Sequence, residues 1–190
     1  MRTDIPTEAL DAIAAALEYP HAGSERAARA AADALRGVDD EVAAAFAALA
    51  DWLRDTPRAE QEELYTRLFD LRPACTLHVG YHVWGDAYQR GELLAGLVGE
   101  LRRANIDPGR ELPDFLPNVL RLWGRIDVDD DARLFHDRVL AVGVGRMAAE
   151  LRRVTTPWAV AVASLSRLFP QSGASRGQTE AERNWEALHV

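Results

Sequence analysis

Apolar residues recur along this chain with the period of an α-helix, in one segment after another. Leu10, Ile13, Ala14 and Leu17 fall three and four apart behind Thr7, a residue type that caps helices. Tyr19-Pro20 ends that segment, because the residue before a proline is pushed out of the α region. Ser24 is the expected cap of a second, alanine-rich helix that stops at Gly37. Asp39 or Asp40 opens a third, with Val42, Phe46, Leu49 and Leu53 on one face. Thr56-Pro57 predicts a cap followed by proline at the first helical position, ahead of Leu64, Tyr65, Leu68 and Phe69.

The second half continues in the same way. Gly85-Asp86 predicts a turn into a helix reaching about Asn105, capped by Asp86, with Leu94, Leu97, Val98 and Leu101 as its apolar face. Asp107-Pro108-Gly109 is turn chemistry. Asp114 is the expected cap of the next helix, with Pro117 in its first turn and Leu116, Leu120 and Trp123 inward. Asp129, Asp130 and Asp131 open the longest helix, where their charge meets the positive end of the helix dipole. Its stripe is Leu140, Val144, Met147, Leu151 and Val154, widened by Phe135 and Val139. Thr156-Pro157 starts a last helix bearing Trp158, Val162, Leu165 and Phe169, which Pro170 ends.

Two stretches are less regular. Thr76 to Trp84 is apolar and aromatic and fits a strand, but it is short and lies among helices, so it is read as helical. Gly91, Gly96 and Gly99 each cost ~1 kcal/mol against alanine inside a helix. Gly96 and Gly99 lie on one side, which predicts either close helix packing or a peptide lying along that side. With no hairpin signal and no repeat, the pattern predicts an all-α, single-domain bundle of about eight to ten helices over residues 1–170. Residues 171–190, polar and rich in glycine and serine as far as Gln178, are the expected flexible tail, with a loose terminal turn or two from Glu180 to Leu188.

Composition narrows the function. The chain has 190 residues, 48% hydrophobic and 27% charged, which is ordinary for a soluble globular protein. A net charge of −8 argues against nonspecific nucleic-acid binding and is compatible with a basic partner. A single cysteine, Cys75, excludes an internal disulfide and fits a reducing compartment. The first twenty residues carry early acids and no long apolar run, so neither a signal peptide nor a membrane span is expected. The expected location is the cytoplasm.

Candidate chemistry is thin. His78 and His82 stand four apart, hence on one face of a helix, with Asp86 four further on, a spacing that suits a metal-dependent enzyme. There is no HExxH, no second Glu-x-x-His and no cysteine pair, so no ligand set is complete and a metal-free protein is expected. Cys75 reads as a small hydrophobe. Gly143 and Gly145 lie in a helical pattern, and no phosphate-binding glycine loop is present. Catalytic residues are therefore expected to be absent, and binding is the better class of function.

Three motifs give that binding a direction: Tyr65, Phe69 and Asp70 in YTRLFD; Gly85, Asp86, Arg90 and Gly91 in GDAYQRG; and Glu111, Leu112, Pro113, Asp114, Leu116 and Pro117 in ELPDFLP. In this order they resemble the delta-subunit (NarJ-type) chaperones of nitrate reductase, related to the TorD and DmsD chaperones. The motifs span about a quarter of the chain. Phe115 departs from the polar or ring-nitrogen residue that many members carry there. The resemblance implies an all-helical protein with no catalysis and no cofactor of its own. Its implied partner is the apo catalytic subunit of a molybdenum-containing oxidoreductase, bound by its N-terminal segment during cofactor insertion and, where the client is exported, held back from translocation.

Such leaders are basic and apolar, so the expected binding site is a greasy groove rimmed by carboxylates. Tyr65, Phe69, Tyr81, Trp84 and Phe115 would supply apolar area, Asp70, Asp86, Glu111 and Asp114 charge, with His78, His82 and Arg90 beside them. A helical adaptor for some other protein is the remaining alternative.

Overall fold

The computed structural model describes residues 5–71 and 75–171. Its α-helices are α1 (Thr7–Ala16), α2 (Ser24–Leu35), α3 (Asp40–Asp55), α4 (Arg58–Tyr65), α5 (Val79–Trp84), α6 (Tyr88–Arg103), α7 (Leu116–Trp123), α8 (Asp130–Phe135), α9 (Ala141–Leu151) and α10 (Pro157–Ser164). A π-helical turn, Thr66–Asp70, continues α4, and a second, His136–Leu140, joins α8 to α9. A 3-10 turn, Leu165–Arg167, follows α10. The architecture is the expected all-α bundle. Among the described residues there is no strand, only one antiparallel bridge between His78 and Phe115. Apart from Gln171, the expected tail lies outside the described residues.

Alanine explains how the first three helices stack. Ala28, Ala31 and Ala32 of α2 are buried, and their small side chains let α2 sit against both α1 and α3. α1 also packs on α7, while α10 packs on α3 and α9. At the centre lie Trp158, Phe46 and Phe169, all fully enclosed. The C-terminal end of α1 points into this core, where its last carbonyls have no helical partner. Two aromatic side chains satisfy them: Trp158 Nε1 donates to the Ala16 carbonyl at 3.2 Å and the Tyr65 hydroxyl to that of Leu17 at 2.8 Å.

The start signals were right in position more often than in mechanism. Asp39 Oδ1 accepts from the amides of Glu41 and Val42, and Asp129 Oδ1 from Ala132, as caps should. Thr7 instead lies inside the first turn, its hydroxyl donating to the Gly124 carbonyl at 2.9 Å and tying α1 to the end of α7. Ser24 is likewise helical and accepts from the His21 amide. Thr56 closes α3, with Gln61 Nε2 donating to its carbonyl and to that of Leu53; Pro57 holds the cap position of α4. Thr156 stands where a cap should, but its buried hydroxyl has no partner among the described residues.

Helix α6 departs furthest from expectation. Only Leu97 and Leu101 are buried; Leu94 is half-buried and Val98 is exposed. Cβ atoms built on Gly91, Gly96 and Gly99 would meet nothing within 4 Å among the described residues, so no described helix packs closely on them. Close approach falls to other glycines. A Cβ on Gly143 would lie 2.5 Å from Val79 Cγ1 and 3.0 Å from the Val79 carbonyl, where α9 meets α5. One on Gly80 would lie 2.8 Å from Asp114 Oδ2 and 2.8 Å from Leu93 Cδ2.

These two classes of glycine should respond oppositely to alanine. Gly143→Ala is expected to lower stability by about 1–3 kcal/mol through overpacking, and Gly96→Ala to raise it by up to ~1 kcal/mol through helix propensity. Thermal and urea melts of the two variants check both signs.

Candidate functional site

The site begins with a short pairing of extended backbone. The Val79 amide donates to the Asp114 carbonyl at 2.9 Å, and the Leu116 amide to that of Leu77 at 2.8 Å. Leu77, Val79 and Leu116 are buried, and this two-sided anchoring carries Asp114 beneath α5 and α6. The absent side chain of Gly80 leaves room for its carboxylate. Arg90, from the first turn of α6, then closes over it, with Nε 2.9 Å from Oδ2 and Nη2 3.4 Å from Oδ1.

Asp114 is therefore no helix cap and no rim charge. Its side chain is wholly enclosed, Phe115 holds the cap position of α7, and Arg90 neutralises the carboxylate. Asp86 is not a cap either. α6 begins two residues later, after Ala87, which leaves Asp86 with its side chain 88% exposed and 3.6 Å from Arg90 Nη1. Arg90 also lies over the Tyr81 ring, 5.5 Å from its centroid, a cation–π contact.

His78 completes the cluster. Its Nδ1 hydrogen-bonds the Thr76 hydroxyl at 2.8 Å, its Nε2 lies 3.8 Å from the Glu111 carboxylate, and its ring is 5.6 Å from that of Phe115. Burial holds the ring below the ordinary histidine range, with Arg90 adding to the effect and the carboxylates of Asp114, Glu111 and Asp70 opposing it. Asp70 is itself pushed up by partial burial, which the charge of His78 partly offsets.

The expected site residues thus divide. Tyr65, Phe69 and Phe115 are buried; Tyr65 and Phe69 pack edge to face at 4.9 Å, and Tyr65 packs against Trp158 at 5.4 Å. They are core, not groove lining. Trp84 is half-buried against the core. Asp70, Tyr81, Asp86 and Glu111 are exposed; Tyr81 and Asp86 meet at Arg90, Glu111 lies against His78, and Asp70 acts on His78 only through its charge.

The two histidines do not form a pair. His78 precedes α5 in extended backbone, so the four-residue spacing does not place it on the face of His82. His82 is buried on the α9 side. Its Nε2 lies 2.7 Å from the Thr76 carbonyl and 3.7 Å from Cys75 Sγ, and its Nδ1 lies 3.4 Å from Glu150 Oε1. Arg146 donates to the carbonyls of His82 and Val83. Burial, then the nearby Glu150 carboxylate, push the Cys75 thiol far above its ordinary range, which favours the protonated thiol over the thiolate. The sequence marked neither Thr76, which serves both rings, nor Glu150, which joins Cys75 and His82 from far along the chain. Gly80 interrupting an apolar run was the one visible signal of close packing here.

A family model described as nitrate reductase delta subunit matches residues 35–164, about two thirds of the chain. The chain belongs to the nitrate reductase delta-subunit family. All three motifs fall inside the matched region, and the family is one of molybdoenzyme maturation chaperones. Two curated relatives, both named nitrate reductase-like protein NarX and both from Mycobacterium tuberculosis strains, are 31% identical over 110 residues. The match covers 57% of this delta-subunit chain but only 17% of each relative, so the chain spans about a sixth of their length.

In this delta-subunit protein Arg90→Ala is expected to cost about 3–5 kcal/mol, because it leaves the Asp114 charge buried and unpaired. Adding Asp114→Asn should recover part of that loss, and a double-mutant cycle in urea measures the coupling. His78 contributes a pH dependence. Its folded form favours the neutral ring, so its contribution is present above the unfolded value of 6.5 and is lost as pH falls through the lower folded value. Replacing His78 with asparagine should flatten melting temperature against pH below about 6.5.

Proposed function

We propose that this chain is a cytoplasmic maturation chaperone that binds the N-terminal segment of an apo molybdoenzyme catalytic subunit of the nitrate-reductase-like group. It holds that subunit for insertion of the molybdenum cofactor and, where the client is exported, delays its translocation. It acts by binding, without catalysis of its own. Among the described residues no helix is long and apolar enough to cross a membrane.

One observation carries the reading. Asp86 faces solvent beside Arg90, which lies over exposed Tyr81, and the exposed carboxylates of Glu111 and Asp70 act on nearby His78, while the buried carboxylate of Asp114 is already held by Arg90. The surface therefore offers negative charge beside an aromatic ring, complementary to a basic, apolar leader. Micromolar affinity would correspond to about −8 kcal/mol, within reach of a few buried apolar side chains and charges steered at the rim.

Calorimetry with the N-terminal peptide of a nitrate-reductase-type catalytic subunit tests this directly. The double variant Asp86→Asn and Glu111→Gln is expected to bind about ten-fold more weakly at low salt, with the difference shrinking as salt rises. Its melting temperature should hardly change, since both side chains are exposed and neither caps a helix. Equal affinity of variant and parent at low salt would remove this surface as the binding site. Absence of binding by a correctly folded parent would leave a helical adaptor for another protein.

A further inference from the structure

We propose that Cys75, His82 and Glu150 form a binding site for a divalent transition-metal ion of the zinc type. The proposal is independent of client binding and rests on the contact between α5, the segment before it, and α9.

Donor chemistry selects the ion. A sulfur, an imidazole nitrogen and a carboxylate oxygen, one atom from each residue, lie within 4.8 Å of one another. Zinc takes this mixture in tetrahedral sites, whereas magnesium and calcium prefer oxygen alone.

Orientation of the imidazole adds a second argument. The short contact to the Thr76 carbonyl requires His82 Nε2 to carry the proton and donate it. In the neutral ring Nδ1 then presents a lone pair, and it does so toward Glu150 Oε1 at 3.4 Å. Two acceptors facing each other at that distance repel unless a proton or a cation lies between them. With metal–ligand bonds of about 2.1 Å, the edge of a coordination tetrahedron is close to that separation. A ring whose other N–H is fixed by a backbone carbonyl is also the usual arrangement of a metal-binding histidine.

The framework is rigid and has a way in. Gly143 lets α9 press on Val79, and Arg146 grips the carbonyls of His82 and Val83, so the bearing of α5 on α9 is set by packing. Cys75 and His82 are buried, while Glu150 is half open to water and supplies the entrance. On binding, the Cys75 thiol gives its proton to solvent, the sulfur bonds to the ion, and no electron changes hands.

The test uses the full chain, stripped with chelator and titrated with zinc by calorimetry and with cobalt(II) by absorption. Expected are saturation near about one ion per chain, a thiolate-to-cobalt charge-transfer band, and a rise in melting temperature with zinc. Glu150→Gln, at a partly exposed position, should fold normally and bind at least about ten-fold more weakly. Cys75→Ser should remove the cobalt–thiolate band. The proposal is overturned if the parent shows no saturable binding, as it would if His82 is simply protonated and paired with Glu150. Saturable binding that survives Glu150→Gln and Cys75→Ser, or that depends on His78 in their place, would overturn it equally.

Discussion

A single enclosed carboxylate sets the geometry of the α5–α6–α7 junction. Asp114 has no access to water, and a charge in that position is tolerable only with a partner held close. That requirement fixes Arg90 and hence the start of α6. It also forbids a side chain on Gly80, which would occupy the space of the carboxylate. The backbone on either side of Asp114 is pinned by bonds to Leu77 and Val79, so α7 and α5 are placed by the same few residues. Motifs far apart in the chain, GDAYQRG and ELPDFLP, are therefore two halves of one electrostatic contact.

The YTRLFD motif has a different task. Tyr65 uses its hydroxyl to satisfy the end of α1 and its ring to fill the space between Phe69, Tyr19 and Trp158. The π-helical turn that follows, closed by the Leu71 amide on the Thr66 carbonyl at 2.8 Å, buries Phe69 and leaves Asp70 exposed. A motif that looks like a binding signature is thus mostly a core device that delivers one carboxylate to the surface.

α6 stands apart from both. It packs on α5 and α7 through few residues, and among the described residues nothing covers Gly91, Gly96 or Val98 closely. Its first turn is rigidly tied through Arg90, while the rest depends on Leu97 and Leu101. The acidic surface proposed to receive a client therefore lies at the well-anchored end of an otherwise lightly held helix.

Helical periodicity was sufficient to predict an all-α bundle, because an apolar stripe at helical spacing can be buried in only one way. The helix starts at Asp39 or Asp40 and at Asp129–Asp131 were legible because capping and the helix dipole act between near neighbours, while the structure decided that Asp39 and Asp129 are the caps. The motif order also pointed correctly to the delta-subunit family. Local rules failed where distant groups competed for the same side chain: Gly124 took Thr7, Arg90 took Asp114, and the late start of α6 freed Asp86. Burial of Tyr65, Phe69 and Phe115 was equally invisible, since aromatic residues at helical spacing look the same in a core and in a groove. The neighbourhood of His82 depended on a contact across 68 residues of chain, to Glu150. No pattern in sequence encodes such a meeting; it arises only when Gly143 lets α9 close on α5.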